Sequence, residues 1–418
     1  MDLEVVTIGT ELLLGFTVDT NGAELGQALA AIGATIVRRT AVADEAGAIR
    51  AAVGEALGRT GIVITTGGLG PTRDDLSKQV VADLYGWPLR FDEAIWQALV
   101  DRFRRMGRDP SPANRVQAEV PEGATVLTNR WGTAPALWLD GPPGLVIMLP
   151  GVPNEMRKLL QHEVVPRLGA RGAAAAGRVV RSRLLRTTSI PESSLAQRIG
   201  DLEDGLQPLT LAYLPGVHGV DLRLTAWQVD SDQADRLLNA GAARLRELLG
   251  PLVYGEGDTD LATVLLDAMR ARGLRLAVGE SCTGGLLGVR VTAISGSSDV
   301  FAGSAVCYHN AAKATLLSVA PALLEAHGAV SQEVAAAMAR GAASRFGVEV
   351  AIGLTGIAGP SGGTEAKPVG TVCFGWVVRD RLESARYVFL GNRREIRERA
   401  AQFALHRLWR LLVEHPVS

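Results

Sequence analysis

The stretch ATIVRRTAVADEAGAIRAAVGEALGRTGIVITTGG, residues 34–68, decides the fold of the first third of the chain. A β-branched run, an alanine-rich helical pattern and a second β-branched run closing on two glycines follow one another without interruption. Strand, helix and strand in that order form a parallel βαβ unit, the building block of a three-layer α/β domain. Upstream, EVVTIG and the helix NGAELGQALAAIG, which ends at Gly33, continue the alternation. Downstream come the strand patterns ALWLD and LVIMLPG and the helix NEMRKLLQHEVVPRL. RLGARGAAAAGR, residues 167–178, then suits either a linker or an alanine extension of that helix.

From residue 179 the pattern changes. The strand VVRSRLLRTTS, the short helix PESSLAQRIG, the strands LTLAYLP and VDLRLTAWQV and the helix SDQADRLLNAGAARLRELLG make a small α+β module. Leu222, Leu224 and Ala226 alternate with Arg223, Thr225 and Trp227, as on a sheet with one solvated face. Past YGEGDTD the α/β alternation returns, with the strands LRLAVGE, FAGSAVCYH, VAIGLTG and VGTVCFGWVV and a final helix in NRREIRERAAQFALHRLWRLL. The expected fold class is α/β: two three-layer α/β domains, residues 1–170 and 255–418, joined by an α+β module at 171–254.

The 418 residues leave room for roughly three domains of about 150 residues each. With 47% hydrophobic residues, 21% charged residues and a formal net charge of -1, the composition is that of a soluble globular protein. It lacks the basic excess that draws nucleic acid or an anionic membrane, so neither is expected as a partner. No apolar run reaches the ~18 residues of a membrane span, and the chain opens on a strand pattern instead of a basic and then apolar leader. A cytoplasmic location is expected. Cys282, Cys307 and Cys373 have no metal-ligand spacing and are expected to be reduced and buried. Of the 43 basic residues four are lysines, Lys78, Lys158, Lys313 and Lys367. Arginine keeps its proton inside a protein and a desolvated lysine can lose it, so lysine in so arginine-rich a chain marks positions where arginine would fail.

The turn TTGGLGPTRDDLSKQV, residues 65–80, follows a strand and opens a helix. Backbone amides at Gly67, Gly68 and Gly70 suit a phosphate, although neither the Walker ending nor the GxGxxG dinucleotide spacing is present. Asp74 and Asp75 fit two roles that the residues alone do not separate, ligands of a divalent cation bridging phosphates and caps of the helix. Gly9-Thr10-Glu11, Asp19-Thr20-Asn21 and the loop from Pro150 to Glu155 also fall at strand ends or helix starts, where open α/β sheets bind ligands.

In the last domain, GESCTGG at residues 279–285 places Ser281 and Cys282 between a strand and a helix, where either is a nucleophile or the pair is a cap and a core filler. Thr283 replaces the last glycine of a nucleophile elbow, which argues against an α/β-hydrolase. A cysteine mechanism needs an imidazole, for which His309 or His327 is available. A serine mechanism needs a base, and CYHNAAKATLLSV supplies Lys313 in the first turn of a helix with Asn310 as its expected cap. The positive end of that helix lowers the lysine pKa, and Tyr308 is placed to relay or orient a proton. The scarcity of lysine moves the choice to Ser281. LTGIAGPSGGTEAKPVGT brings Thr355 and Gly356 to another strand end, as an oxygen or phosphate site or as a tight connection. In GNRREIRERA, Arg393, Arg394 and Arg397 open a helix with Asn392 as cap, an unfavourable end for cations unless an anion, or Glu395 and Glu398, answers them.

GTELLLG, DTN, TTGGLGPTRDD and LPGVPNEM, across about residues 1–170, together resemble the N-terminal domain of the CinA family, which shares the fold of molybdopterin-binding proteins. The resemblance implies a metal-dependent pyrophosphatase acting on ADP-ribose or a related nucleotide diphosphate. Asp74 and Asp75, then Glu11, Asp19 and Glu155, become candidates for a divalent metal cation, and Asn21, Gly67, Gly68 and Gly70 candidates for the substrate. AVGESCTGG, SSDVFAGSAVCYHNAAK, GLTGIAGPSGGTEAKPVGTV and GNRREIR resemble the C-terminal CinA domain, also found as the stand-alone amidase PncC. That resemblance implies deamidation of nicotinamide mononucleotide without a metal. Ser281 is then the nucleophile, Lys313 the base and Tyr308 an aid to proton transfer, while Thr355, Gly284, Gly285 and Gly356 line the acyl or phosphate site and Arg393 or Arg397 holds phosphate. A homo-oligomer, a dimer, is expected. Two other readings stay open: an N-terminal domain that binds or adenylylates molybdopterin, and a DNA-processing partner using Arg178, Arg181, Arg183 and Arg186 on an expected edge strand.

Overall fold

The computed structural model describes residues 1–173 and 178–414, and the chain divides into two compact units. The first holds residues 1–181 with 226–236, the second holds the rest, and the middle module is shared between them.

In the first unit a six-stranded sheet runs in the order Thr35–Val42, Asp2–Ile8, Ile62–Thr66, Gly144–Leu149, Ala136–Gly141, Thr125–Leu127. The first four strands are parallel and the last two antiparallel. The βαβ unit of residues 34–68 is present, with Asp2–Ile8 lying between its two strands. Its helix, Ala46–Thr60, stops where Gly61 takes φ 70, a left-handed C-cap that glycine adopts without strain. Leu3, Val5 and Ile64 pack against Leu25, Leu29 and Met156 on one face of the sheet. Val6, Ile8 and Val63 pack against Ile49, Val53 and Val81 on the other. Helices cover both faces, so the central strands Asp2–Ile8, Ile62–Thr66 and Gly144–Leu149 bury both side-chain sets, at about 1.5–3 kcal/mol for each large apolar residue. The helix after LPGVP runs from Pro153 through a π turn at Leu160–Val164 to Leu168 and a further turn at Gly169–Ala173. Pro166 lacks the amide of a regular ladder, and the wider turn precedes it. Residues 174–177 of the linker stretch lie outside the described residues.

The second unit carries a five-stranded sheet in the order Phe301–Val306, Leu276–Glu280, Val350–Gly356, Thr371–Val378, Arg381–Val388, three parallel strands followed by two antiparallel ones. Ala277 and Ala351 face Leu317 and Met338, while Val278, Ile352 and Phe374 face Leu265, Ile396 and Leu405. Gly279, Gly353 and Gly375 stand side by side on three adjacent strands. A Cβ on Gly353 would collide with the Ala335 carbonyl and the Ala339 amide, so this bare stripe lets the helix Gln332–Phe346 lie directly on the sheet. The ends of Leu276–Glu280 and Val350–Gly356 are thereby fixed beside each other, and the loops leaving them carry the site.

The middle module is a four-stranded sheet in the order Thr210–Pro215, Val220–Asp230, Arg178–Thr187, Val253–Glu256. Arg178–Thr187 is an interior strand, not the expected edge, because Val253–Glu256 returns to pair with it. Arg181 pairs with Asp235 at 2.6 Å, Arg186 with Asp221 at 2.9 Å and Arg183 with Glu256 at 3.7 Å. Three of the four arginines of the supposed basic strip are thus answered by carboxylates. No described helix is long and apolar enough to cross a membrane.

Candidate active site

Glu280 ends its strand fully buried and accepts four hydrogen bonds: from Thr283 Oγ1 at 2.7 Å, Leu287 N at 3.0 Å, Gly288 N at 2.9 Å and Ser304 Oγ at 2.9 Å. The free amides at the start of the helix Leu286–Thr292 are therefore answered by Glu280, and the cap role open to Ser281 falls to its neighbour. Gly284 and Gly285, at φ 59 and 92, turn the chain back toward the helix. Ser281 is held through its backbone, its N–H donating to Leu354 O and its carbonyl accepting from Gly284 N, both at 3.0 Å. Its side chain lines a cavity of about 240 Å³ shared with Tyr308, Asn310, Lys313, Thr355 and Arg393.

Lys313 is only 2% exposed, and its Nζ donates to Cys307 O at 3.2 Å and to Asn310 Oδ1 at 3.4 Å. Burial, more than any other influence, pulls its pKa below the ordinary lysine range. The expected cap is corrected: the helix Asn310–Leu317 is capped by His309, whose Nδ1 accepts from Ala311 N at 3.2 Å, and Asn310 turns to the lysine. Neither hydrogen bond of Nζ reaches Ser281, although both residues wall the same cavity. In free enzymes such contacts are often long and tighten with substrate. Burial pushes the Cys282 thiol up to about 12, so it holds almost no thiolate at neutral pH. His309 is occupied as a cap and His327 stands 3.7 Å from Glu333; neither lines the cavity.

Thr355 Oγ1 donates to Ala329 O at 2.8 Å and, with Gly356, forms the opposite strand end. Arg393 lines the cavity, donating to Gly359 O at 2.6 Å and to the Tyr308 hydroxyl at 2.7 Å. Arg397 does not line it: its Nε and Nη2 donate to Thr283 O at 3.2 and 2.6 Å, bracing the turn that holds Gly284 and Gly285. Asn392 caps the terminal helix Arg393–Glu414 as expected, accepting from Arg394 N and Glu395 N, and the Glu395 carboxylate in turn accepts from Asn392 N at 2.9 Å. Glu398 turns away to His218 at 3.3 Å, and Gln402 donates to Thr188 Oγ1 at 3.1 Å, so the same helix grips the middle module. Glu280 was missed from sequence, where its signal was a carboxylate at the end of an otherwise apolar strand. Ala329 and Val330, which wall the cavity, left no signal.

In the first unit the predicted loops converge but the predicted carboxylates do not. Asn21 is buried and donates to Thr66 Oγ1 at 3.0 Å and Gly151 O at 2.8 Å, while its Oδ1 is buried without a partner. Gly67 and Gly68, at φ 106 and 67, cross the same place. Asp75 accepts from Gly70 N at 2.7 Å, Thr72 N at 2.8 Å and the Thr72 hydroxyl, closing the loop upon itself. Asp74 is exposed, with the nearby Thr72 hydroxyl holding its carboxyl below the usual range. Asp19 is taken by Arg39 at 2.8 Å and Gly22 N at 2.9 Å, and Glu155 by Asn129 Nδ2 at 2.6 Å. Burial pushes the Glu155 pKa up, and Glu11 is exposed. Among the described residues no three His, Cys, Asp or Glu side chains are grouped to hold a metal ion. The residues present therefore do not fit a cation held by these five carboxylates. Lys78, beside the glycine turn, points away from it to Val116 O and Glu119 O, and burial brings its pKa to about 8.

Residues 258–412 match the family model "CinA C-terminal domain", residues 4–170 "Probable molybdopterin binding domain" and residues 182–255 "Damage-inducible protein CinA KH domain". The chain is similar to a CinA-like protein of Gemmatimonas aurantiaca, 52% identical over 98% of this chain and 96% of the relative. It is also similar to a CinA-like protein of Salinibacter ruber, 42% identical over 99% of this chain and 100% of the relative.

Proposed function

The chain belongs to the CinA family, and from that membership we propose that its C-terminal domain deamidates nicotinamide mononucleotide through Ser281 and Lys313. The observation that carries this reading is a serine and a buried lysine on the wall of one small cavity, with Arg393 beside them. A neutral amine has two N–H donors and one lone pair. Cys307 O and Asn310 Oδ1 take the donors of Lys313, which leaves the lone pair for the Ser281 hydroxyl. Ser281 Oγ attacks the carboxamide carbon while its proton passes to Nζ. The C–N bond breaks as Nζ returns that proton to the leaving ammonia, leaving an ester on Ser281. Water attacks the ester carbon, its proton passing through Nζ to the serine oxygen, and nicotinic acid mononucleotide departs. One water is consumed and one ammonia released. Thr355 and Gly356 face the acyl group, and Arg393, held by the Tyr308 hydroxyl, takes the phosphate. In an ammonia-release assay, Ser281→Ala and Lys313→Met abolish turnover and Cys282→Ala retains it; full activity in Ser281→Ala with none in Cys282→Ala would overturn the assignment.

For the N-terminal domain the reading is hydrolysis of ADP-ribose, or a related nucleotide diphosphate, to AMP and ribose 5-phosphate in the crevice of Asp19–Asn21, Gly67–Gly70 and Pro150–Glu155. Its support is the convergence of these loops at parallel strand ends and the partnerless Asn21 Oδ1 within them. The match to a molybdopterin-binding model favours a second reading, a pterin in the same crevice. Pterin fluorescence in the purified protein, with no AMP formed from ADP-ribose, selects it.

A further inference from the structure

A second cavity of the first unit lies outside every loop assigned so far, and we propose that it binds a nucleoside phosphate. It measures about 600 Å³ and opens between the helix Glu93–Arg105 and the segment around residues 126–135. That volume falls within the ~300–1,000 Å³ of small-ligand sites. Ile95, Leu99 and Val126 give it an apolar wall, and Arg102, Arg105 and Arg130 bring three guanidinium groups to it.

Two of the three cations have no anionic partner among the described residues. Arg102 donates to Arg130 O at 3.1 Å and Trp131 O at 2.7 Å, and its charge is felt by the Glu155 carboxyl behind the loop. Arg105 and Arg130 are exposed and make no ion pair among the described residues. The one carboxylate on the wall, Asp92, is committed as the helix cap, accepting from Ala94 N at 2.9 Å and Ile95 N at 3.1 Å. Position at a helix C-terminus, favourable for cations, accounts for Arg102 and Arg105 but not for Arg130, which comes from a loop. That loop is built to hold its shape. Asn129 accepts from Trp131 N and Gly132 N at 2.9 and 2.8 Å and donates to Ala134 O and Glu155 Oε2 at 2.8 and 2.6 Å.

A preformed pocket with unpaired arginines at one part of its wall and branched aliphatic side chains at another suits a ligand that is an anion at one end and a flat apolar ring at the other. Guanidinium groups favour phosphate oxygens in paired geometry, and the ring covers Ile95, Leu99 and Val126. The site does not depend on the hydrolytic reading of the neighbouring crevice, although Asn129 and Glu155 join the two structurally.

Calorimetric titration of the full chain with AMP tests this. The double variant Arg105→Ala/Arg130→Ala, both exposed positions, weakens AMP binding at least about tenfold, the loss of one charge-assisted hydrogen bond or more, and leaves ammonia release from nicotinamide mononucleotide unchanged. Val126→Trp, which fills the cavity, weakens it likewise. The inference falls if AMP does not bind, or if binding survives both changes and is lost with Asn21→Ala, which would place the ligand in the crevice. Arginine-dependent binding without any ADP-ribose hydrolysis would uphold this site while the hydrolytic reading fails.

Discussion

Replacing Glu280 by glutamine preserves the size of the side chain and removes its charge and one acceptor. In the native protein Thr283 Oγ1 and Leu287 N bond one carboxylate oxygen, and Gly288 N and Ser304 Oγ the other. Whichever way the amide is turned, its NH₂ meets one hydroxyl and one backbone N–H. The hydroxyl can rotate and accept. The N–H cannot, so one buried amide loses a charged partner worth about 1.5–3 kcal/mol, and the remaining bonds weaken from charged to neutral. The sum expected is about 2–4 kcal/mol. Because the change is local, hydrogen exchange of the segment 281–292 in the full chain reads it directly, with amides exchanging about thirtyfold to several hundredfold faster. Ammonia release falls with it, since Ser281 is the next residue. Exchange within threefold of the native rate would refute the account of this carboxylate as the anchor of the turn.

Other expectations follow from the same packing. His406 is 2% exposed, and burial lowers its pKa to about 4. The unfolded chain therefore takes up this proton first as pH falls, so the contribution to stability is whole above about pH 6.5 and is lost toward pH 4, by about 3 kcal/mol. Denaturant unfolding across that window is expected to show a shallower pH slope in His406→Leu, and equal slopes would refute the assignment. Gly353→Ala should lower the thermal midpoint, since the added methyl meets the backbone of Ala335 and Ala339 at a cost of about 1–3 kcal/mol. Lys313→Arg should be as inactive as Lys313→Met because a guanidinium cannot give up its proton, whereas native turnover should rise with pH through a lysine pKa held below 10.5. An active arginine variant would exclude Lys313 as the base. Cys282 should resist iodoacetamide at pH 8 in native protein, as mass spectrometry of the modified chain would show.

The α/β alternation was legible because central parallel strands are buried on both faces and so write themselves as unbroken apolar runs. Ser281, Lys313, Thr355 and Arg393 were legible because each leaves a strand end or opens a helix, and the topology carries those positions to one place. What sequence did not disclose was partnership. Asp19 reads as a free carboxylate until Arg39 arrives from the next strand, and Asp75 until its own loop folds back to Thr72 and Gly70. The cap of the lysine helix shifted by one residue because His309 and Asn310 are both able to cap, and His309 is the one with extended backbone. Arg178–Thr187 lost its edge to a strand that returns only after the long helix Ser231–Leu249.

The terminal helix has Arg393 at the cavity and, further along, Glu398 and Gln402 against His218 and Thr188. One helix thus serves the cavity and the middle module at once. A substitution at Thr188 removes the acceptor of Gln402, and any shift of the helix that follows is carried to the guanidinium of Arg393 at its start. The middle module is in this sense a footing for the cavity, since the helix it anchors is the one that presents Arg393.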